Sequence, residues 1–382
     1  MLKSSRRSAV EPFLAMDVLA RAAVLEAQGR RIVHMEVGQP AASAPKAVLA
    51  AAAEALKGRL GYTEALGIRP LRERIARHYR ESYGLEVPVA RIMVTTGSSG
   101  GFNLSFLGCF DPGARIAMAA PGYPAYRNII KVLGLEAVEI PVGADSRWAL
   151  TAEHVARADD AARLGGVLVA SPANPTGTMT RPEALADLVA LCEARGIRFL
   201  SDEIYHGLTY GEPAETALRF TDAAIVINSF SKYYCMTGWR IGWLVLPEDL
   251  VRPFERLSQS LYISVPELSQ RAAIAAFDAR EELEAVKAGY ERNRAHLLAR
   301  LPELGFDEIL PVDGAFYVYA SVKRFTNDSH DFAARLLEEA GVAATPGIDF
   351  DHGRGAGYLR LSFAGDEAAI GEGIERLAVW LR

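Results

Sequence analysis

Asn228-Ser229-Phe230-Ser231-Lys232, continuing to Trp239-Arg240-Ile241-Gly242, is the stretch from which this chain is best read. The apolar, β-branched run Ala224-Ile225-Val226-Ile227 leads into it and reads as a strand buried on both faces. Its carboxyl end delivers two serines and a lysine, and an arginine follows eight residues after the lysine. The product is an amine beside an anion site. A lysine amine becomes a nucleophile once burial or neighbours lower its pKa. Two hydroxyls and a guanidinium suit a phosphate, because the planar fork can bind it bidentately. Alone, Ser-x-Ser-Lys also describes an ordinary solvated lysine after a strand, so the rest of the chain must corroborate it.

From residue 91 onward strands and helices alternate. The spacing predicts strands at Arg91–Thr95, Arg115–Ala119, Ala137–Ile140, Gly166–Ala170, Ile197–Ser201, Ala224–Asn228 and Trp239–Leu246, with helical segments such as Arg181–Arg195 between them. The expected fold class is α/β: a mostly parallel seven-stranded sheet flanked by helices. Ligands of such sheets bind beyond the carboxyl ends of the strands.

Before that region, residues 11 to 31 have helical spacing closed by Gly29, and a strand from Ile32 to Val37 runs into Gly38-Gln39-Pro40. Helices follow at Lys46–Lys57 and Pro70–Tyr83, separated by the glycine-bracketed loop Gly61 to Gly67 that holds Tyr62. After about residue 285 a charged helix, Arg280–Leu301, leads into a mixed region. There we expect a strand at Ala315–Tyr319, a helix at Asp331–Ala340, a strand at Tyr358–Phe363 and a final helix. The expected organisation is therefore a segment 1–45 packed on a smaller α+β domain of residues 286–382, with residues 46–285 forming the large domain.

Half of the 382 residues are hydrophobic and 23% are charged, enough to bury a sizeable core. Lysine and arginine number 42 against 47 acidic residues, a net charge of -5 without a dense basic stripe, which argues against a nucleic-acid partner. Cys109, Cys192 and Cys235 are odd in number and lack a Cys-x-x-Cys pattern, pointing to a reducing compartment. The apolar piece Phe13-Leu14-Ala15-Met16 is too short for a signal-peptide core, and no apolar run could span a bilayer. We expect a cytoplasmic protein with no membrane partner. The seven histidines show no His-Glu-x-x-His pattern, so no metal site is expected.

The strand ends supply the corroboration. Asp202 closes an apolar strand, where an unpaired carboxylate is costly. It could cap a following helix or pair with a cationic ring nitrogen. Asn174, in Ser171-Pro172-Ala173-Asn174-Pro175-Thr176-Gly177, is either a turn residue or, with Tyr205, a donor to a ring oxygen. Thr95-Thr96-Gly97-Ser98-Ser99-Gly100-Gly101 opens a helix, and such an N-terminus can cradle a phosphate. It lacks both the dinucleotide Gly-x-Gly-x-x-Gly spacing and the Gly-Lys-Ser/Thr of a P-loop. A cofactor that is at once an aldehyde and a phosphate monoester fits this set: pyridoxal 5'-phosphate, PLP.

With these motifs in place, the chain from about Arg31 to Phe363 resembles the class I/II aminotransferases of PLP-enzyme fold type I. The family's motifs occur in order as Gly97-Ser98-Ser99, Pro121-Gly122-Tyr123-Pro124, Asn174-Pro175-Thr176-Gly177, Asp202-Glu203-Ile204-Tyr205, Ser229-Phe230-Ser231-Lys232, Arg240 and Arg360-Leu361-Ser362-Phe363. The resemblance implies Lys232 as the Schiff-base lysine and proton shuttle, Asp202 on the ring nitrogen, and Asn174 and Tyr205 on the ring oxygen. It implies Tyr123 stacked on the ring, with Gly97, Ser98, Ser99, Ser229, Ser231 and Arg240 around the phosphate. Tyr62 would reach the phosphate of a neighbouring subunit, which implies a homodimer with shared active sites. Arg360, with Gly38 and Asn174 beside it, would receive the substrate carboxylate; without the motif, Arg360 reads as a strand-edge salt bridge.

The activity so implied moves an amino group between an L-amino acid and a 2-oxo acid by a ping-pong mechanism through pyridoxamine phosphate. No motif supports a second arginine for a side-chain carboxylate, which favours a neutral or apolar donor. A PLP-dependent carbon–sulfur lyase would use the same residues, and a non-catalytic PLP-binding regulator is a more distant alternative. The sequence departs from the family pattern twice. Cys235 stands where Gly, Ser or Ala is usual, with an effect expected on packing alone, and Ala41-Ala42 replace a bulkier pair after Pro40.

Overall fold

The computed structural model describes residues 3–382; Met1 and Leu2, the start of segment 1–45, lie outside the described residues. In chain order the first elements are α1 (Leu14–Ala27), β1 (Val33–His34), α2 (Lys46–Ala55), α3 (Arg69–Tyr83), β2 (Ile92–Thr95), α4 (Gly97–Cys109), β3 (Arg115–Ala120) and α5 (Pro124–Val132). Next come β4 (Glu136–Pro141), α6 (Ala152–Ala161), β5 (Gly166–Ala170), α7 (Pro182–Arg195), β6 (Arg198–Asp202), β7 (Ile225–Ser229), β8 (Gly242–Val245) and α8 (Glu248–Tyr262). The chain continues through α9 (Glu267–Ala276), α10 (Arg280–Glu303), β9 (Tyr317–Ser321), α11 (Ser329–Arg335), β10 (Val342–Ala343), β11 (Thr345–Pro346), β12 (Tyr358–Ser362) and α12 (Glu367–Trp380).

The central sheet has seven strands in the order β2-β8-β7-β6-β5-β3-β4. Its central strands are apolar throughout because both faces are covered, and the two-residue side-chain period divides them between two cores. In β7, Ile225 and Ile227 pack with Leu200, Leu244 and Phe102, whereas Val226 packs with Val167, Phe199 and Val245 on the other face. All neighbours pair in parallel except β8, which runs antiparallel to both β2 and β7. That reversal has a consequence for the site: the residues just before β8 arrive at the same edge as the carboxyl ends of the others.

A second sheet, β11-β12-β9, is antiparallel and sets Arg360 of β12 opposite Thr345 and Tyr319. Segment 33–41 is tied alongside it. β1 pairs in parallel with β10, Met35 N–H donates to Ala343 O at 3.0 Å, Ser362 N–H to Met35 O at 2.7 Å, and Ala41 N–H to Ala364 O at 3.0 Å. Val33 and Met35 share a core with Leu297, Val318, Leu359 and Leu361.

Several predicted elements change at their ends for local reasons. Ala315 has φ 59°, a left-handed conformation that no strand tolerates, so β9 begins at Tyr317. Thr237–Trp239 form a 3-10 turn and Arg240 has φ 48°, so β8 begins at Gly242. The strand expected from Ile32 to Val37 forms a regular ladder only at Val33 and His34, with Met35 adding single hydrogen bonds to Ala343 and Ser362. The helix expected at Asp331–Ala340 starts at Ser329 and ends in a π-helical turn over Leu336–Ala340.

His34 adds a pH-dependent tie to this segment. Its Nδ1 lies 2.7 Å from Glu36 Oε1 and its Nε2 3.0 Å from Glu26 Oε1. The Glu36 hydrogen bond, helped by Glu26 and opposed by burial, pushes the imidazole up from 6.5 to about 9. A raised folded-state pKa means stability that is complete below pH 6.5 and lost as pH rises through about 9. We expect His34→Gln to lower the thermal midpoint at pH 6, with the gap to the parent protein closing above pH 9. A gap that persists at pH 10 would contradict this account.

Candidate active site

The carboxyl ends of β2, β3, β5, β6 and β7 meet a cavity of about 610 Å³. Gly38, Ser98, Ser99, Tyr123, Asn174, Asp202, Tyr205, Ser231, Lys232, Arg240 and Arg360 line it. Two further predicted residues stand directly behind the wall: Ser229 Oγ donates to Ser231 Oγ at 2.9 Å, and Gly97 backs the Arg240 guanidinium. Tyr62 is elsewhere, 83% exposed on the outer surface.

The anion end is built from backbone. α4 starts at Gly97 with φ 71°, and a Cβ there would lie 2.7 Å from Arg240 Nη2. The left-handed φ favours glycine here, and the missing Cβ leaves the guanidinium room against this helix N-terminus. A cation beside the positive end of a helix dipole is unfavourable unless an anion lies between them. Gly242 is equally constrained, since its Cβ would come within 2.6 Å of Asn228 O. Because β8 is antiparallel, Arg240 enters this end from the start of its strand.

Lys232 is half-buried, and its Nζ donates to Gly38 O at 2.5 Å. Burial, with the nearby charges of Arg360 and Arg240, lowers the ammonium to about 8, Asp202 opposing. Asp202 is 3% exposed. The Tyr126 hydroxyl donates to its Oδ2, and Ile204 N–H donates to Oδ1 at 3.2 Å. Burial pushes this carboxyl up to about 6 against the pull of those hydrogen bonds and of Lys232. A turn rather than a helix follows β6, so the helix-cap reading of Asp202 does not hold.

Arg360 is 3% exposed and sandwiched between two rings, its Cζ 4.5 Å from the Tyr317 centroid and 4.8 Å from that of Phe350. Nη1 donates to Asn174 Oδ1 at 3.1 Å, and Nη2 donates to Glu36 O and, at 3.1 Å, to Thr345 Oγ1. Nε is buried without a partner, and no carboxylate pairs with Arg360 among the described residues, so the salt-bridge reading is not seen. The geometry suits a carboxylate arriving from outside the protein.

Tyr126, Tyr317, Phe350 and Glu36 were not singled out from the sequence. Tyr126 carried one legible signal, since it follows Tyr123 by three residues on the start of α5 and so shares its face. Cys235 has φ 55°, so its departure from the family pattern is conformational and not merely one of packing: a side chain occupies a left-handed position that favours glycine.

These residues fit PLP. The amine, the cationic helix N-terminus and the buried carboxylate that lacks a full countercharge match an aldehyde, a phosphate and a ring nitrogen. Among the described residues, no cluster of histidine, cysteine or carboxylate could hold a metal ion, and no helix is long and apolar enough to cross a membrane. The depressed ammonium gives a direct test in the cofactor-free protein. A neutral amine acylates and an ammonium does not, so acetic anhydride labelling of Lys232 should rise through pH about 8, well below ordinary lysines near 10.5. A midpoint near 10.5 would refute the electrostatic description.

The family model for aminotransferase class I and II matches residues 30–377. Over 380 residues, covering 98% of this chain and 97% of the relative, the sequence is 49% identical to a valine–pyruvate aminotransferase of Mycobacterium tuberculosis. A crystal structure of an aminotransferase from that organism superposes with a TM-score of 0.97 at 48% identity, covering 100% of this chain and 99% of the other. The Thermus thermophilus aspartate aminotransferase with maleate superposes with a TM-score of 0.93 at 32% identity, covering 99% and 100%. Relatives named as aminotransferases do not favour the lyase reading. The chain belongs to aminotransferase class I and II, and it is a PLP-dependent aminotransferase.

Proposed function

We propose that this enzyme transfers the amino group of an apolar L-amino acid to a small 2-oxo acid such as pyruvate. The observation that carries the proposal is the distribution of charge in the cavity. Its lining cations among the described residues are Lys232, Arg240 and Arg360, and each has a task already. None is left for a side-chain carboxylate, while Phe13, Ala15, Met16 and Val37 supply an apolar wall. The name of the valine–pyruvate relative agrees with that wall.

In this reading Lys232 would hold PLP through Nζ. Asp202 would face the ring nitrogen, Asn174 and Tyr205 the ring oxygen, and Tyr123 a ring face. Gly97, Ser98, Ser99, Ser229, Ser231 and Arg240 would surround the phosphate. Bound PLP supplies an electron sink for negative charge at the carbon that bears the amino group. Arg360, with Asn174 beside it and Gly38 lining the same cavity, orients the substrate carboxylate. Lys232 takes the proton from the α-carbon as general base, a role that an amine titrating near 8 can fill at neutral pH.

We further infer a homodimer. Tyr62, Leu56, Leu60, Leu261 and Ile263 are all exposed, and the Thr63 N–H to Ser264 Oγ hydrogen bond at 3.3 Å joins the segments of Tyr62 and Ile263, apolar surface that suits a second copy. The same reading divides the chain into the segment 1–45, a large domain 46–285 and a small domain 286–382. A cytoplasmic setting accords with three cysteines that all stay free thiols.

Initial rates with a panel of amino acids and pyruvate test the substrate. Valine, alanine and leucine should outpace aspartate and glutamate in kcat/KM, with parallel double-reciprocal lines. Aspartate or glutamate as the best donor would overturn the apolar assignment. Arg360→Ala should raise KM for the amino acid about a hundredfold, the worth of a lost bidentate charged contact, and leave cofactor absorption unchanged. Normal KM in that variant would remove the carboxylate role.

A further inference from the structure

Tyr317 is the buried hydroxyl of the site that no assigned role uses. It is 1% exposed, lies at the start of β9 and lines the cavity. Three different parts of the chain meet on it. Its ring lies under the Arg360 guanidinium at 4.5 Å. Its hydroxyl is 2.8 Å from that of Tyr205. It also fills the space above Gly38, where a Cβ would sit only 1.6 Å from its oxygen.

A buried phenol without a hydrogen-bond partner bears its full desolvation penalty, and here the partner hydroxyl is that of Tyr205. Either oxygen of the pair could donate, and the Arg360 cation decides between them. A positive charge at the Tyr317 ring face makes that phenol the more acidic of the two and so the better donor. Tyr317 O–H then points to Tyr205 Oη, and the Tyr205 proton is left free to point into the cavity. Donation into Tyr205 also strengthens Tyr205 as a donor in its turn.

We propose that Tyr317 is a positioning residue that orients the Tyr205 hydroxyl toward the cofactor's ring oxygen while its ring supports Arg360. It thereby links the substrate carboxylate site to the cofactor. The inference rests on the reading of Tyr205 as the ring-oxygen donor given above, and the test separates the two.

The variants are Tyr317→Phe, which keeps the ring and removes only the hydroxyl, Tyr205→Phe, and the double substitution. The readout is the pH titration of the visible absorption band of bound PLP, which needs no turnover. A hydrogen bond to the ring oxygen stabilises its anion, so weakening that bond moves the midpoint to higher pH. Tyr205→Phe should raise the midpoint. Tyr317→Phe should raise it less, by about half to one pH unit, the range of one neutral hydrogen bond. In the Tyr205→Phe background it should produce no further shift, since its effect runs through Tyr205. Kinetically, Tyr317→Phe should lower kcat and leave the amino-acid KM within about twofold, because the ring under Arg360 is retained.

If Tyr205→Phe raises the midpoint and Tyr317→Phe leaves it at the parent value, the positioning role is overturned and the Tyr205 reading stands. Additive shifts in the double variant would also overturn it, because the hydroxyl would then act independently of Tyr205. If Tyr205→Phe itself leaves the midpoint unmoved, both readings fail together.

Discussion

A guanidinium buried without a carboxylate organises this molecule. Burying a charge costs several kcal/mol unless it is well hydrogen-bonded, and Arg360 offsets that cost with contacts drawn from distant parts of the chain. Segment 33–41 contributes the Glu36 carbonyl, the loop after β5 contributes Asn174, and β11 contributes Thr345. Rings from Tyr317 and Phe350 close both faces. The parallel pairing of β1 with β10, the register of β12 and the turn at Asn174 are all needed to assemble one cation-binding shell. Within that shell Nε alone is left buried without a hydrogen-bond partner among the described residues.

Charges inside the cavity then set one another. Lys232 lies near two arginines and one aspartate, and its ammonium is destabilised because burial and the two cations outweigh the anion. Asp202 shows the converse balance, a carboxyl held near 6 by burial although Tyr126 and the Ile204 amide donate to it. Each group has the electrostatic character that a phosphate, an aldehyde or a ring nitrogen would complement. The backbone around them is fixed: Gly242 leaves no room for a Cβ against Asn228 O, and Gly97 and Arg240 both take left-handed conformations.

The sheet was legible because its strands are short apolar runs punctuated by the very residues that carry the chemistry. Lys232, Asp202, Asn174 and the Gly97-Ser98-Ser99 turn all follow such runs, so a strand-end rule sufficed to bring them together. Strand direction was less legible, since β8 reads as another apolar run and only its pairing shows that it is reversed. Conformational exceptions were invisible: nothing in the residue types of Ala315 or Cys235 announces φ of 59° or 55°. Tyr126, Tyr317 and Phe350 were missed for another reason. An aromatic in an apolar stretch looks like core, and these residues are core as well as site.

The charges in the cavity also bear on how selective the enzyme can be. In the proposed reading, charged recognition is taken up by features that all α-amino acids share, and discrimination among side chains would fall to the apolar wall of Phe13, Ala15, Met16 and Val37. Such a wall gains only about 1–3 kcal/mol per methylene, a factor of roughly 10 to 200 between neighbouring substrates. Under the same proposal rejection of aspartate or glutamate would be stricter, because an unpaired carboxylate would be desolvated against apolar atoms with no further cation among the described lining residues to meet it. The expected profile is therefore graded among apolar donors and steep toward acidic ones. Part of that wall, Phe13 with its edge on the Tyr123 ring at 5.6 Å, immediately precedes α1, whose first amides donate to the buried Asp349 carboxylate. In the proposed reading selectivity would thus depend on a helix held at its N-terminus by Asp349, a residue that does not line the cavity.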